Sequence, residues 1–318
     1  MSSTPPFFTV FIPTFNRAHL LPRAFQSIEA QTFRDFEVLI VDDGSTDNTG
    51  DLVQQWAQTV PFSVRCIQQT NQGKYAAHNA GVHFALGQLF FLLDSDDRLL
   101  PNTLERIHAH WMAIPAADRD RYAGVEGLVE SMDGQRLLTD PYPQSPLDTH
   151  FLDTQYRLHI GGDKKHAIVT EILRHYPYPI FPGERHVRDS ITWKRWSHRY
   201  ILRCVNESFQ QVEYQPDGLT ANRFAARMSS PRGFQLFYRE DITLHRAWLS
   251  RRQLRRSTID FIRFSLHCGE GFVAQGRQVG FNPLWMALFP AGVVRWSIDH
   301  YRLRFKGGQH PNKIKIKN

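Results

Sequence analysis

The feature that most constrains this chain is an alternation of apolar runs and helically spaced segments over residues 7–94, with polar residues where the runs end. FFTVFIP (7–13) is rich in β-formers and is stopped by Pro13; AFQSIEAQ (24–31) follows with helical spacing. FEVLIVDDGS (36–45) predicts a second buried strand ending in acids. TDNTGDLVQQWAQ (46–58) predicts a helix, with Ser45 or Asp47 as N-cap. FSVRCIQQ (62–69), GKYAAHNAGVHFALG (73–87) and QLFFLLD (88–94) repeat the order strand, helix, strand. This pitch implies an α/β fold, with a mostly parallel sheet covered by helices on both faces.

In such a sheet, ligands collect beyond the carboxyl ends of the strands. Thr14 and Asn16 follow the first strand, Asp42 and Asp43 the second, and Asp94, Ser95, Asp96 and Asp97 the fourth. Helix capping explains any one of these acids but not the set. Within FFLLDSDDRLLP (90–101), three carboxylates in four residues repel one another, so a cation is expected among them. Oxygen ligands without Cys or His suit Mg²⁺ or Mn²⁺, held by Asp96 alone or with Asp97 and completed by a diphosphate. No GxGxxG follows the first strand and no GxxxxGK[ST] occurs, so a metal, not a glycine loop, is expected to hold phosphate. Asp42 and Asp43 could accept from a base N–H, which uracil offers at N3 and cytosine does not.

VFIPTFNR, SIEAQTFRDFEVLIVDDGSTDNT, NQGKYAAHNAG and FFLLDSDD together resemble the family-2 glycosyltransferases of the GT-A fold, over about residues 7–110. The resemblance implies a Rossmann-like sheet and transfer of a sugar from a nucleotide-sugar, commonly UDP-linked, with inversion. It implies that Pro13, Thr14 and Phe15 touch the base, that Asp43 is the uracil-binding acid, and that Lys74 lies near the nucleotide. Asp94-Ser95-Asp96 matches the DXD motif, with Asp94 nearer the ribose and Asp96 on the metal; Asp97 is a second candidate ligand. Inverting transfer also needs a general base. The family pattern E-D-x-x-L-x-x-R is met in part by FPGERHVRDSITWKRW (181–196), where Asp189 precedes Arg195 by the family spacing. Thr192 stands in the Leu position and Arg188 in place of the Glu, and Glu184 is the alternative base. Asp189 could instead be a helix-terminal acid supporting SITWKRW. In HIGGDKKHAIVTEIL (159–173), Gly161, Gly162 and Asp163 either break the chain beside the acceptor side or form a plain turn before a helix. His78, His83 and His166 are placed on helices or loops without catalytic work, and His186 and His198 have no diagnostic spacing.

Charge divides the chain. Residues 1–231 hold 22 Lys and Arg against 26 Asp and Glu, whereas residues 232–318 hold 16 against 5. The expected organisation is a catalytic domain over 1–230, with a nucleotide-sugar half to about 110 and an acceptor half beyond it. A helical, basic C-terminal extension occupies 231–318. REDITLHRAWLSRRQLRRSTIDFIRFSLH (239–267) reads as one helix with Arg251, Arg252, Arg255 and Arg256 on one side. QVGFNPLWMALFPAGVV (278–294) is uncharged but short of the ~20 residues that span a bilayer, and it holds Pro283 and Pro290. Basic residues among Trp285, Phe289, Trp296 and Tyr301 suit an anionic membrane surface. A solvated appendage or a dimer interface would read the same way. Three separated cysteines give no disulfide or zinc pattern, and the N-terminus does not read as a signal peptide. The expected setting is cytoplasmic, peripheral at the inner face of the membrane, with a glycan or lipid-linked glycan as acceptor. Alternatives are a sugar nucleotidyltransferase, although IPTFNRAHLLP lacks that class's glycines, or a non-catalytic nucleotide- or glycan-binding protein. No nucleic-acid module is recognisable.

Overall fold

The computed structural model describes residues 4–215 and 223–306. It divides into two compact units, residues 1–226 and 227–318, where the sequence reading sets the boundary at 230. The first unit opens with β1 (Phe8–Thr14), α1 (Leu21–Glu29), β2 (Phe36–Asp42), α2 (Thr49–Ala57), β3 (Ser63–Gln68) and α3 (Lys74–Phe84). There follow β4 (Leu89–Leu92), β5 (Arg98–Leu99), α4 (Thr103–Met112), β6 (Tyr122–Ser131), β7 (Leu147–Thr149) and α5 (Phe151–Tyr156). β8 (Lys165–Val169), α6 (Thr170–His175), α7 (Ser190–Trp196) and β9 (Ile201–Val212) come last, before a short helix α8 (Arg223–Met228).

The strands form one sheet in the order β3-β2-β1-β4-β8-β6-β9-β5, with β7 paired to β9. The first four are parallel, as the alternation predicts. β8 then enters antiparallel between β4 and β6, so the sheet is mixed beyond β4. Every residue of β1 and β2 is buried, which explains their unbroken apolar runs. Their side chains still sort by period two. Phe8, Val10 and Ile12 face a layer holding Leu21, Phe25, Ile28, Trp56 and Trp111. Phe11, Leu39 and Val41 face Ala77, Val82, Phe90, Ile168 and Trp196. Gly81 lets α3 lie close on β1: a Cβ there would sit 2.3 Å from the Phe11 ring.

Four local expectations change. The N-cap of α2 is Asn48, one residue after Asp47; Asp47 nevertheless accepts from the Thr49 N–H at 3.1 Å, because its short side chain reaches a turn better than a helix end. Within 159–173 the turn leads into β8 before the short α6, since Lys165–Val169 is drawn between two strands that supply its backbone partners. His166 therefore lies on a strand, not on a helix or loop. The helix read over 239–267 is interrupted: α9 (Pro231–Thr243) ends, a single 3₁₀ turn covers Arg246–Trp248, and α10 (Arg251–His267) restarts. Ser250 and Gln253 form a reciprocal capping box at that restart, which is why the chain breaks there. VNESFQQVEYQPDGLTANR (205–223) reads as a closing strand followed by a turn at Asp217-Gly218; the strand falls within β9, and the turn lies outside the described residues.

The second unit adds α11 (Phe272–Val279) and α12 (Pro283–Lys306). Phe234 stacks on Phe264 at 5.1 Å, and Phe261, Ile262 and Trp285 are fully buried with them. Asn282 Oδ1 accepts from the Trp285 N–H at 2.9 Å and so caps α12 just ahead of Pro283. Asp299, buried, accepts from Arg263 at 2.7 Å and lies 3.0 Å from His267, while Asp260 pairs with Arg295 at 2.8 Å; these bonds tie α12 to α10. Among the described residues, no helix is long and apolar enough to cross a membrane.

Candidate active site

The register of the parallel strands puts Thr14 beside Asp42 and Asp42 beside Gln68, so the ends of β1, β2 and β3 form one rim. Pro13 and Thr14 are buried, and Phe15 is exposed at the tip. Asn16, at φ 51°, bolts the loop after β1 to the loop after β2. Its Oδ1 accepts from the N–H of Thr46 at 2.7 Å, and its own N–H donates to Ser45 Oγ at 2.8 Å. Asp42 accepts from the Ser45 N–H at 2.9 Å.

Asp43 is buried and already occupied. Its oxygens accept from Gln69 Nε2 at 2.7 Å, the Gln72 N–H at 2.9 Å and the Gly73 N–H at 2.7 Å. A carboxylate has about four acceptor positions, so one remains for a base. These bonds shape the loop ahead of α3. Gly73 turns there at φ 94°, and a Cβ on it would meet the Arg185 carbonyl at 2.7 Å. The turn delivers Lys74 and Tyr75 in succession.

Lys74 Nζ lies 2.5 Å from Asp94 Oδ1, and Lys165 Nζ, at the start of β8, lies 2.9 Å from Asp94 Oδ2. Burial alone would raise the Asp94 carboxyl, but the two ammonium groups override it and hold it well below the carboxylate range. Lys74, despite its burial, is held firmly charged by Asp94 and Asp189. Two lysines are thus the cations that the acidic run demands in this state, and Lys165 escaped the sequence reading. Its only signal was a Lys-Lys pair that looked like a turn.

Asp97 is buried; Gln210 donates to its Oδ2 and the Glu213 N–H to its Oδ1 at 3.3 Å. Burial pushes its carboxyl up to about 8, with Asp94 and Asp96 adding to the rise and Lys165 opposing it. Ser95 is buried and Asp96 half-buried. Burial and the neighbouring Asp94 raise Asp96 as well, while its own backbone N–H, Lys74 and Arg17 act against the rise. No group of three or more metal-ligating side chains occurs among the described residues. Asp96 and Asp97 offer oxygen donors only, the donor type that hard divalent cations take. Asp96 is open to that role, whereas Asp97 would share bonds it already makes.

Asp189 lies at the head of α7 but makes no cap hydrogen bond to it. Tyr75 donates its phenol to Asp189 Oδ1 instead, and the Tyr178 hydroxyl donates to the Asp189 carbonyl at 3.1 Å. Burial and the adjacent Asp189 carry the Tyr75 phenol far above its usual range, so it stays a donor. Asp189 is exposed, not partly buried as a base was expected to be. Glu184 lines a small cleft with Gln72, Tyr75, Arg185 and His186, one turn of chain away. The His186 ring lies tilted 5.6 Å from that of Tyr75, and His78, half-buried, meets Phe11, Phe90 and Tyr178 edge-on; the burial it has, with Lys74 beside it, drops the His78 ring to about 3 and leaves it neutral.

Residues 9–161 match the model of glycosyl transferase family 2. That segment belongs to the family. The family 2 segment covers β1 through the α5 region and so contains the acidic rim, Lys74 and Asp94–Asp97, while Lys165 and Asp189 lie beyond it. An uncharacterized glycosyltransferase of Nostoc sp. is 44% identical over 203 residues, which is 62% of this chain and 58% of the relative. A PGL/p-HBAD biosynthesis glycosyltransferase of Mycobacterium tuberculosis is 41% identical over 105 residues, 33% of this chain and 41% of that protein. The chain thus spans roughly half the length of the curated relatives it matches. Among solved structures, Staphylococcus aureus TarS 1–349 in complex with UDP-GlcNAc aligns at TM-score 0.58 and 16% identity, over 98% of this chain and 94% of that one. The mannosyltransferase PcManGT from Pyrobaculum calidifontis, in complex with GDP-Man and Mn²⁺, aligns at TM-score 0.54 and 18% identity, over 96% and 88%. At these identities the likeness establishes the GT-A fold.

Proposed function

We propose that the chain is an inverting glycosyltransferase that moves a sugar from a nucleotide-sugar, a UDP-sugar by preference, to a hydroxyl of a glycan or lipid-linked glycan. The acceptor oxygen attacks the anomeric carbon, and the bond from that carbon to the diphosphate breaks, its electron pair leaving on the diphosphate oxygen. The acceptor proton passes to Asp189, with Glu184 the alternative. One observation carries this reading. Asp189 leaves its own helix uncapped and is held by Tyr75, whose chain neighbour Lys74 grips Asp94. The supports of a proton acceptor and of the charged apparatus for a leaving diphosphate are therefore the adjacent residues Tyr75 and Lys74.

Pro13, Thr14, Phe15 and Asn16 would border the base, and the spare acceptor position on Asp43 would meet uracil N3–H, with Asp42 bracing the turn. Asp94 and Ser95 would face the ribose and Lys74 the phosphates. Asp96, with Asp97 behind it, would hold Mn²⁺ or Mg²⁺; such an ion, when bound, supplies charge neutralisation for the departing diphosphate. The basic C-terminal unit would meet an anionic membrane surface, at the inner face of the cytoplasmic membrane where a lipid-linked acceptor is presented. The test is release of nucleoside diphosphate from a panel of UDP- and GDP-sugars with Mn²⁺ or Mg²⁺ added. Release should be metal-dependent and lost in Asp96→Ala. No release and no thermal stabilisation by any donor with metal would overturn the proposal.

A further inference from the structure

The outward side of α12 is a continuous uncharged stripe. Ala287, Pro290, Val294, Ile298, Tyr301 and Phe305 recur at steps of three and four residues, which places them along one line of the helix. All six are exposed, the last four at 59%, 45%, 60% and 64%. At 1.5 Å per residue the stripe is about 27 Å long. The opposite side of the same helix makes its packing contacts. Trp285 is fully buried, a Cβ on Gly292 would strike Ile262 at 2.3 Å, and Asp299 is held by Arg263 and His267. A helix that packs by one side normally turns a polar side to water. α12 does not.

The charges of α12 are arranged around this stripe. Arg302 and Arg304 lie about 80° to either side of it, by helical geometry. Asp299, the only acid in α12, is turned inward, so no negative charge borders the stripe from its own helix. Arg295, on the Arg302 side, is shared with Asp260 of α10. The segment from 232 onward carries 16 basic and 5 acidic residues. An apolar line with cations along its edges and no acid is complementary to a surface that is apolar beneath and anionic on top, which is a bilayer of acidic lipids. A second copy of this chain would bring the same positive edges together, and those repel.

We infer that the outward face of α12, from Ala287 to Phe305, is a membrane-contact surface for anionic lipid, lying in the interface plane and not across the bilayer. The inference rests on the membrane-surface reading above and gives it a location. It predicts that Val294, Ile298, Tyr301 and Phe305 enter the boundary between headgroups and acyl chains, while Arg302 and Arg304 stay at headgroup depth.

The test is flotation of the full chain with vesicles of phosphatidylglycerol and phosphatidylcholine, against pure phosphatidylcholine, with no nucleotide-sugar present. The wild type should float with the anionic vesicles and far less with the zwitterionic ones. The double variant Val294→Asp, Ile298→Asp should bind about tenfold more weakly, equivalent to ~1.4 kcal/mol. Arg302→Gln and Arg304→Gln should each cost about fivefold, and only on anionic vesicles. Tyr301→Ser with Phe305→Ser serves as a second apolar test near the helix end, should the aspartate pair fail to give a cooperative melt. A wild type that stays unbound overturns both this inference and the membrane reading, without touching the transfer reaction. Vesicle binding unchanged in all four variants overturns the inference alone. A concentration-dependent dimer that the aspartate pair dissolves, with no vesicle binding, assigns the stripe to a second copy and overturns it too.

Discussion

Replacing Asp189 by Asn separates a proton acceptor from a helix-terminal acid. Asn keeps the shape of the side chain, and its Oδ1 still accepts from the Tyr75 phenol, so the support on that side survives. What it removes is the capacity to take a proton at Oδ2, the oxygen without a partner among the described residues. Because Asp189 makes no cap bond to α7, stability should change little, within ~0.5 kcal/mol. Loss of a general base costs about 10²–10⁴ in rate, or ~3–5 kcal/mol of barrier. The companion Tyr75→Phe keeps the base but frees its orientation. A hydrogen bond to a charged group is worth about 1.5–3 kcal/mol, and the exposure of Asp189 puts the effect at the lower end, so kcat should fall about tenfold. The assay is steady-state diphosphate release with donor and acceptor, alongside calorimetric titration of UDP with Mn²⁺. Asp189→Asn should abolish kcat with UDP affinity retained, and Tyr75→Phe should lower kcat with donor KM unchanged. Transfer by Asp189→Asn at near wild-type rate refutes the assignment, and loss in Glu184→Gln instead would move the base to Glu184. Equal loss of UDP affinity in both variants would mean that the Tyr75 contact shapes the nucleotide site.

Three further perturbations test the physics of the fold around this site. Lys165→Met leaves Asp94 with Lys74 alone, so the melting temperature should drop, with a cost of ~2 kcal/mol for a largely buried pair broken on one side; a melt that is unchanged would mean that water replaces the ammonium. Gly81→Ala forces a methyl against Phe11 and should destabilise by about 1–3 kcal/mol in denaturant titration, with nucleotide affinity intact if α3 relaxes as a body. Glu207 is held down at about 2, first by hydrogen bonding to Arg106, against the opposing effect of burial, and then by His110. A depressed carboxyl stabilises above its unfolded pKa and loses that contribution as pH falls toward the folded value, so Glu207→Gln should flatten acid unfolding between pH ~4.3 and about 2. No difference between the two acid curves in that window would contradict it.

The parallel half of the sheet was legible because its signal is local. Each strand of β1, β2 and β4 is a run buried on both faces, and each ends where polarity begins, so the rim could be assembled from residues 7–97 without knowing any long-range pairing. Tyr75 and Lys165 could not be found this way. Tyr75 reads as one more aromatic on α3, and it becomes informative only when Asp189, 114 residues later, is brought to its hydroxyl. Lys165 matters because β8 inserts antiparallel beside β4, an event that β4 itself does not announce. The sequence leads one to expect a cation among these carboxylates, and within the chain Asp94 meets two lysines that long-range topology supplies. That has a consequence for ligand binding. Asp94 starts paired with two lysines and Asp97 starts with its carboxyl raised by burial, so a diphosphate with its metal adds both a cation and anions to a site already close to neutral. Binding should then exchange partners more than accumulate charge: phosphate oxygens would take Lys74 and Lys165 from Asp94, and Asp96 with Asp97 would be left to hold a divalent ion. Lys165→Met should consequently weaken UDP with Mn²⁺ more than it weakens uridine, which has no phosphate to compete for the ammonium. Equal losses for the two ligands would show that Lys165 only holds the strand end in place.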